Sequence, residues 1–197
     1  MRHSFISALA VAGLAVTLSA QAQAAWRMVP ADSRITAEVA GQGQNGPLER
    51  TYRVDNLNGT ISDNGYFEMP LRLEQTNLLG DGGMGALLSG LSSDSAMVTL
   101  STQIEPAWLN NLAVGDSLTR TLTLTARGNH FERSERVPMR VERLNQQAWQ
   151  VSLAEPISID TRQMMQLDNA QTILSLLGYR SLADTIPINF NARLIER

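Results

Sequence analysis

Apolar and polar residues alternate along most of the chain after Arg34, and a period of two is typical of β-strands with one buried face. In Tyr66–Thr76, for example, Phe67, Met69 and Leu71 share one side and charged residues share the other. Parallel strands covered on both faces would be continuously apolar, so the pattern favours an antiparallel sheet. The alternation predicts eight strands: Arg34–Gly41, Glu49–Ile61, Tyr66–Thr76, Ser95–Glu105, Asp116–Gly128, Glu132–Leu144, Ala148–Asp160 and Asp184–Glu196.

Turn-forming residues separate the predicted strands. Asp63-Asn64-Gly65, Gly128-Asn129-His130 and Asn145-Gln146-Gln147 all lie where hairpin connections are needed. Strands that follow each other in sequence are therefore expected to pair. Strands with one apolar face can hide that face by closing into a barrel, which also removes exposed sheet edges. The sequence thus predicts an all-β, eight-stranded antiparallel barrel, with a sandwich of two sheets as the alternative.

Two segments depart from the alternation and predict helices that cover the barrel. Asn77–Ser92 begins with a glycine-rich loop, which could form a gate beside a cavity mouth, and continues into a short helix over Met84–Leu91. Thr161–Leu177 repeats apolar residues at steps of three and four, as an amphipathic helix does. Asp160 gives this longer helix a capping-box-like start, and Gly178 is placed to end it.

The N-terminus predicts export. A basic dipeptide precedes the apolar run Phe5–Leu18, which the small-residue tract Ser19–Ala24 follows, as in a cleaved secretory signal peptide. The run is shorter than the ~20 residues that cross a bilayer. Cleavage after Ala24, or after Ala22, would leave no membrane-spanning segment. We therefore expect a signal peptide over residues 1–24 and one domain over residues 25–197.

Composition removes several classes of chemistry. The 197 residues include sixteen arginines, no lysine and no cysteine, which excludes Schiff-base catalysis, a P-loop, thiol nucleophiles and disulfides. A net charge of −3 argues against bulk electrostatic binding of nucleic acid. His130 is the one histidine outside the leader, so a catalytic triad or a multi-histidine zinc site lacks its parts.

Carboxylates and methionines leave two questions open. A hydrolase remains a rival hypothesis, although the spacing of its candidate carboxylates selects no pair: Asp32, Asp55, Asp63, Glu68 and Glu74. Methionines on inward faces or on the longer helix suit either an adaptable apolar ligand or ordinary core filling. Alternation does not distinguish these two cases, because an eight-stranded barrel is either filled by side chains or holds one ligand. The methionines in question are Met69, Met139, Met164 and Met165.

The motifs of the chain resemble those of a known family. Trp26–Ile35 looks like its opening, with an aromatic residue, Pro-x-x-Ser and a strand, although Asp32-Ser33 stands where His-Ser is usual. Leu118–Gly128 followed by Arg136–Val141 looks like its Leu-Thr-Leu hairpin, which is the most specific match. Ile186–Phe190 fits its final strand. The chain therefore resembles the YceI-like family, although a glycine-rich segment replaces the charged helix usual after the third strand.

This resemblance implies a periplasmic, lipocalin-like barrel that binds a polyisoprenoid or quinone-like lipid, with no catalysis and no cofactor. A homodimer is compatible with it. The rival to such a carrier is a filled barrel that serves as a periplasmic interaction or stress-response module. The lipid would follow inward positions that we match by strand: Phe67, Met69, Leu71, Val98, Leu100, Leu122, Leu124, Met139, Val151, Leu153 and Phe190, with Met164, Leu167 and Leu174 on the covering helix.

Overall fold

The computed structural model describes residues 24–79, 96–129, 131–166 and 170–197. Within them, twelve strands form a single antiparallel sheet that closes on itself. The strands are β1 (Ala24–Met28), β2 (Arg34–Gly43), β3 (Gly46–Val54), β4 (Thr60–Ser62), β5 (Tyr66–Arg72), β6 (Ala96–Gln103), β7 (Ser117–Gly128), β8 (Glu132–Arg143), β9 (Ala148–Leu153), β10 (Ile157–Asp160), β11 (Tyr179–Leu182) and β12 (Thr185–Glu196).

The twelve strands occupy eight places in the ring. Four of these places each hold two strands that follow one another in the chain, as one longer strand with a break in it would. The interrupted strands are β1 with β2, β3 with β4, β9 with β10, and β11 with β12. β1 pairs with both β4 and β12, and these contacts close the ring. The predicted eight-stranded antiparallel barrel is confirmed, and the sandwich is not formed.

Three of the four interruptions have a local cause. Pro30 begins a 3-10 helix, Pro30–Asp32, between β1 and β2. Asn56 has a φ of 55°, a left-handed conformation that breaks the pleat between β3 and β4. Pro156 lies between β9 and β10, where its missing N–H cannot serve a sheet ladder. Between β9 and β10 the inward positions keep the same alternation, whereas between β3 and β4 the alternation shifts by one residue at Asn56, from Val54 to Leu57.

One end of the barrel, here called the base, is where β5 begins and β12 ends. A short helix that the sequence did not predict, α1 (Ala107–Asn110), lies across it. The side chains gathered there form the base cluster: Trp26, Met28, Leu57, Ile61, Phe67, Met69, Leu109, Trp149, Ala192 and Leu194. Trp26 and Trp149 meet edge to face, with ring centroids 6.3 Å apart, and Trp149 Nε1 donates to the Leu109 carbonyl at 3.2 Å.

Arg143 completes the base. Its guanidinium lies 5.1 Å from the centre of the Trp149 ring, and Nη1 donates to the Leu112 carbonyl at 2.7 Å. Further N–H groups reach the carbonyls of Asn145 and Gln146 in the β8–β9 turn. One planar cation thus ties together α1, the turn and the aromatic pair.

The opposite end, here called the rim, carries the β7–β8 turn and two more helices, α2 (Thr161–Met164) and α3 (Ala170–Leu176). The predicted single helix over Thr161–Leu177 is therefore wrong, because a turn at residues 165–166 ends α2. Gly178, with a φ of 86°, lies just beyond α3 as predicted. Ile173 and Leu176 are exposed rather than packed. The predicted helix over Met84–Leu91 and His130 lie outside the described residues.

A second group of side chains, the rim cluster, joins α3 to the barrel wall. It comprises Val39, Leu174, Tyr179 and Ile186. Leu174 is the residue by which α3 is buried, and Tyr179 begins β11 directly after the helix. The rim cluster covers the side of the barrel formed by β2, β3, β11 and β12.

Candidate functional site

The predicted ligand-contacting residues fall at two levels of burial. Phe67 and Met69 are buried in the base cluster, and Leu174 is buried in the rim cluster. The side chain of Met164 and all of Leu167 lie outside the described residues. The remaining positions share the inward face and are half-buried: Leu71, Val98, Leu100, Leu122, Leu124, Met139, Val151, Leu153 and Phe190.

Register makes these half-buried residues one continuous surface. Leu71 is opposite Val98 across β5 and β6, and Met139 is opposite Leu153 across β8 and β9. Leu122 is opposite Val137 across β7 and β8. The half-buried inward surface therefore extends from β5 round to β9, on the side of the barrel that the rim cluster does not cover.

The β7–β8 hairpin carries a charged pair to the rim on this same face. Arg133 and Glu135 follow Val137 toward the rim in inward register, and Arg133 Nη2 lies 2.7 Å from Glu135 Oε1. Beyond the contact of Ala154 N–H with the Pro138 carbonyl, β10 leaves β8 and pairs with β12. Toward the rim, β8 and β10 are therefore not paired with each other, and the barrel wall separates between them.

Phe131 is a rim residue that the sequence analysis missed. It is 50% exposed, and its ring lies against Gly128, where an added Cβ would be 2.3 Å from the ring. Gly128 is opposite Val98, so this ring covers the inward face at the end of the hairpin. The signal in the sequence is the aromatic residue three positions after a turn glycine.

Polar groups also occur on the inward face of β3. Arg50 is opposite Val39 and Tyr52 is opposite Ala37, both in inward register. Arg50 Nη1 donates to the Leu177 carbonyl at 3.0 Å. Tyr179 Oη donates to the Val39 carbonyl at 3.0 Å, and burial, reinforced by Tyr52, raises the pKa of Tyr179.

A groove of about 410 Å³ lies on the outer face of the barrel. Asp32 and Arg193 border it, with Arg193 Nη1 3.6 Å from Asp32 Oδ2. Ser33 beside it is buried, donates to the Val29 carbonyl at 2.7 Å and accepts from the Arg193 N–H at 3.2 Å. Of the Asp32-Ser33 pair in the family-like opening, Asp32 therefore lies on the outer surface, whereas Ser33 makes a structural contact.

The candidate carboxylates do not converge. Asp55 lies 3.6 Å from Arg53 in an ion pair, and Asp63, Glu68 and Glu74 are exposed on separate elements. Among the described residues, no group of three or more His, Asp or Glu side chains could hold a metal ion. No helix within those residues is both long enough and apolar enough to span a membrane.

Comparison with known proteins gives a match to a solved structure. No family model matches the chain, and no curated protein matches it. A solved structure does, a polyisoprenoid-binding domain from Saccharophagus degradans implicated in plant cell wall breakdown, with a TM-score of 0.72 and 19% identity. The chain has the fold of that domain. The match covers 89% of this chain and 100% of the other, so the barrel expected from the YceI-like resemblance is confirmed over almost its whole length.

Proposed function

We propose that this protein is a secreted carrier that holds a long apolar isoprenoid-type lipid inside its barrel and performs no chemistry on it. The observation that carries the proposal is a group of inward apolar residues between β6 and β9 that are half-buried and are not among the residues packed against the base cluster: Val98, Leu122, Leu124, Met139 and Leu153. In a solidly filled interior such side chains would be close-packed and inaccessible, as they are in the base cluster. A lipid tail is the matching occupant for such a surface.

The driving force would be the transfer of the tail from water to the barrel interior. Each buried methylene contributes about 0.8 kcal/mol, so a long tail binds without any specific polar contact. The similar fold of a polyisoprenoid-binding domain supports a lipid over a compact ligand. Residues 1–24 would direct the chain to the periplasm and be removed, leaving residues 25–197 as the barrel domain.

Native mass spectrometry of protein that is gently purified after export tests this proposal. We expect a population carrying an additional mass of several hundred daltons that organic extraction removes and identifies as a lipid. The intact mass of the stripped chain should correspond to a start at Ala25 or Gln23. Export without any bound lipid, and no uptake of added prenol, would contradict the carrier.

A ligand-free interaction module is the second candidate, and the outer groove beside Asp32 and Arg193 is the observation that favours it. This function requires a filled barrel and an occupied outer surface. It predicts that changes in the groove, such as Arg34→Ala, abolish binding of a partner, whereas changes on the inward face affect only stability. The same mass measurement separates the two candidates, because only the carrier retains lipid.

A further inference from the structure

The outer groove beside Asp32 crosses three neighbouring strands. Arg34 on β2 is opposite Asn191 on β12. Arg193 lies two residues further along β12 and is opposite Gln150 on β9. Directly opposite residues, and residues two apart on one strand, share a face of the sheet, so these four side chains lie on the same outward face. The volume of the groove, about 410 Å³, is within the range of small-molecule sites, roughly 300–1,000 Å³.

The lining of this groove is mainly polar, whereas most pockets for small ligands are lined by apolar side chains. Amides and a hydroxyl line it from Thr36, Gln150, Asn189 and Asn191. An amide both donates and accepts hydrogen bonds, as a hydroxyl does, so these groups match a ligand that carries several hydroxyl groups. Leu144, which is 40% exposed, adds apolar surface. The lining therefore suits a compact ligand that is rich in hydroxyl groups and has an apolar face.

The charged groups of the lining are two arginines and one carboxylate. Arg34 is exposed and, like Arg193, donates no side-chain hydrogen bond to the described residues. Arg193 Nη1 lies 3.6 Å from Asp32 Oδ2, which is within range of an ion pair but too long for a hydrogen bond. Asp32 therefore offsets only one of the two cations. The groove has a net positive charge on a chain whose net charge is −3.

The two arginines are placed to approach one anion. Arg193 Nε is shielded from solvent and has no hydrogen-bond partner, although the side chain as a whole is 40% exposed, so a ligand would meet the terminal Nη groups. Two N–H groups of a guanidinium bind the two oxygens of a carboxylate side by side. Arg34 and Arg193 are diagonal neighbours across β2 and β12, a separation that long side chains can bridge. Both can therefore contact the same carboxylate.

From this arrangement we infer that the groove binds a small hydroxylated carboxylate, of the class of sugar acids. Arg34 and Arg193 would hold the carboxylate, Asn189 and Asn191 would bind hydroxyl groups, and Leu144 would contact the C–H face of the ring. Charge alone would accept any anion, whereas the amides favour an anion that carries hydroxyl groups. The site occupies outward positions, so it goes beyond the proposed carrier function and does not depend on what the interior holds.

The test compares ligands that carry the charge, the hydroxyl groups or both. Glucuronate, glucose, acetate and inorganic phosphate are titrated into the exported, ¹⁵N-labelled protein, and dissociation constants are measured from NMR shifts. We expect glucuronate to bind at least about tenfold more tightly than glucose, the factor that one charge-assisted hydrogen bond corresponds to. Acetate and phosphate, which lack the hydroxyl groups on a ring, should also bind about tenfold more weakly than glucuronate. The amide signals of Thr36 and Asn191 should shift.

Variants with effects of opposite sign test the two arginines. Arg34→Gln and Arg193→Gln should each weaken glucuronate binding about tenfold and leave glucose binding within about twofold. Asp32→Asn removes the carboxylate that competes for Arg193, and should tighten glucuronate binding about threefold. Arg136→Gln is the matched control, because Arg136 is an exposed arginine on β8 outside the groove, and it should change neither affinity.

Each outcome supports or overturns the site. Tighter binding of glucuronate that depends on Arg34 and Arg193 supports it. Equal binding of glucuronate, acetate and phosphate would reduce the groove to a cationic surface and overturn the site, as would weaker glucuronate binding by Asp32→Asn. A preference for glucuronate that survives in the Arg34→Gln, Arg193→Gln double variant also overturns it. Lipid retention is a separate measurement on the same protein, so the loss of either proposal leaves the other standing.

Discussion

The base and the rim of this barrel are built from the same alternating strands, yet their inward side chains are covered to different degrees. At the base, Trp149 is 1% exposed and Ala192 is 0% exposed, and helix α1 and Arg143 close the end. Toward the rim, Leu122 and Leu124 face the same interior but are only half-buried. Alternation therefore determines which face a residue occupies, whereas the covering elements determine how closely it is packed.

This difference predicts a division of labour between the two ends. Close-packed interiors lose stability when a side chain is shortened or enlarged, because neighbouring atoms cannot adjust fully. A half-buried surface with space beside it tolerates both changes better. The base should therefore supply most of the folding free energy, and the inward surface nearer the rim should determine what the barrel binds.

The largest expected effect comes from removing the centre of the base. Trp149→Ala deletes the edge-to-face contact with Trp26 and the hydrogen bond to Leu109, and should lower the unfolding free energy by about 3–5 kcal/mol. Urea denaturation of the lipid-free protein measures it. Trp108→Ala is the control, since Trp108 is half-buried outside the cluster and should cost much less. Similar losses for both variants would contradict a packed base.

Enlarging one residue at each end sharpens the comparison. Ala192→Leu adds atoms where no space remains and should cost about 1–3 kcal/mol. Leu122→Phe adds atoms beside the half-buried surface and should change stability by less than about 0.5 kcal/mol, while weakening prenol binding by occupying its place. Thermal unfolding and prenol titration give both values. A destabilisation by Leu122→Phe equal to that of Ala192→Leu would instead favour the filled barrel.

The smallest effect is a pH dependence at the rim. Burial raises the pKa of Tyr179 above the ordinary value of 10.0, so the folded state holds this proton more tightly than the unfolded chain. Its contribution to stability is complete below pH ~10 and is lost as the pH rises further. Tyr179→Phe should reduce the loss of unfolding free energy above that pH. An unchanged loss in Tyr179→Phe would contradict a contribution from this proton.

The sequence predicted the long strands of the ring well, but it did not predict the short strands and the short helix added to them. Long strands such as β7 and β8 are recognisable in the sequence because the period of two repeats many times in them. β1 and β11 were missed because each is short and adjoins a segment with a different pattern. Before Ala24 this segment is the tract of small residues, and before Gly178 it is a helix. Helix α1 is a single turn, which is too short for any helical period to register.

The candidate site divides in the same way. The inward row from Leu71 to Leu153 followed from alternation, because each member lies on a regular strand. Arg50 also lies in inward register, yet a charged residue in an alternating row looks like a solvent position until the pairing with Val39 is known. Phe131 depends on a close approach to Gly128 that no period encodes. Contacts between elements, rather than patterns within them, supply these residues.

The arginine that closes the base would also restrict how a lipid, if the barrel carries one as proposed, enters and leaves it. Because Arg143 holds α1, the turn and Trp149 together, a lipid that entered past Phe131 would find the base closed by the described residues and would leave by the rim. A guest longer than the barrel is deep has to double back or leave its end protruding. The depth of the barrel would then select among homologous tails by their length, without any residue that recognises an individual carbon.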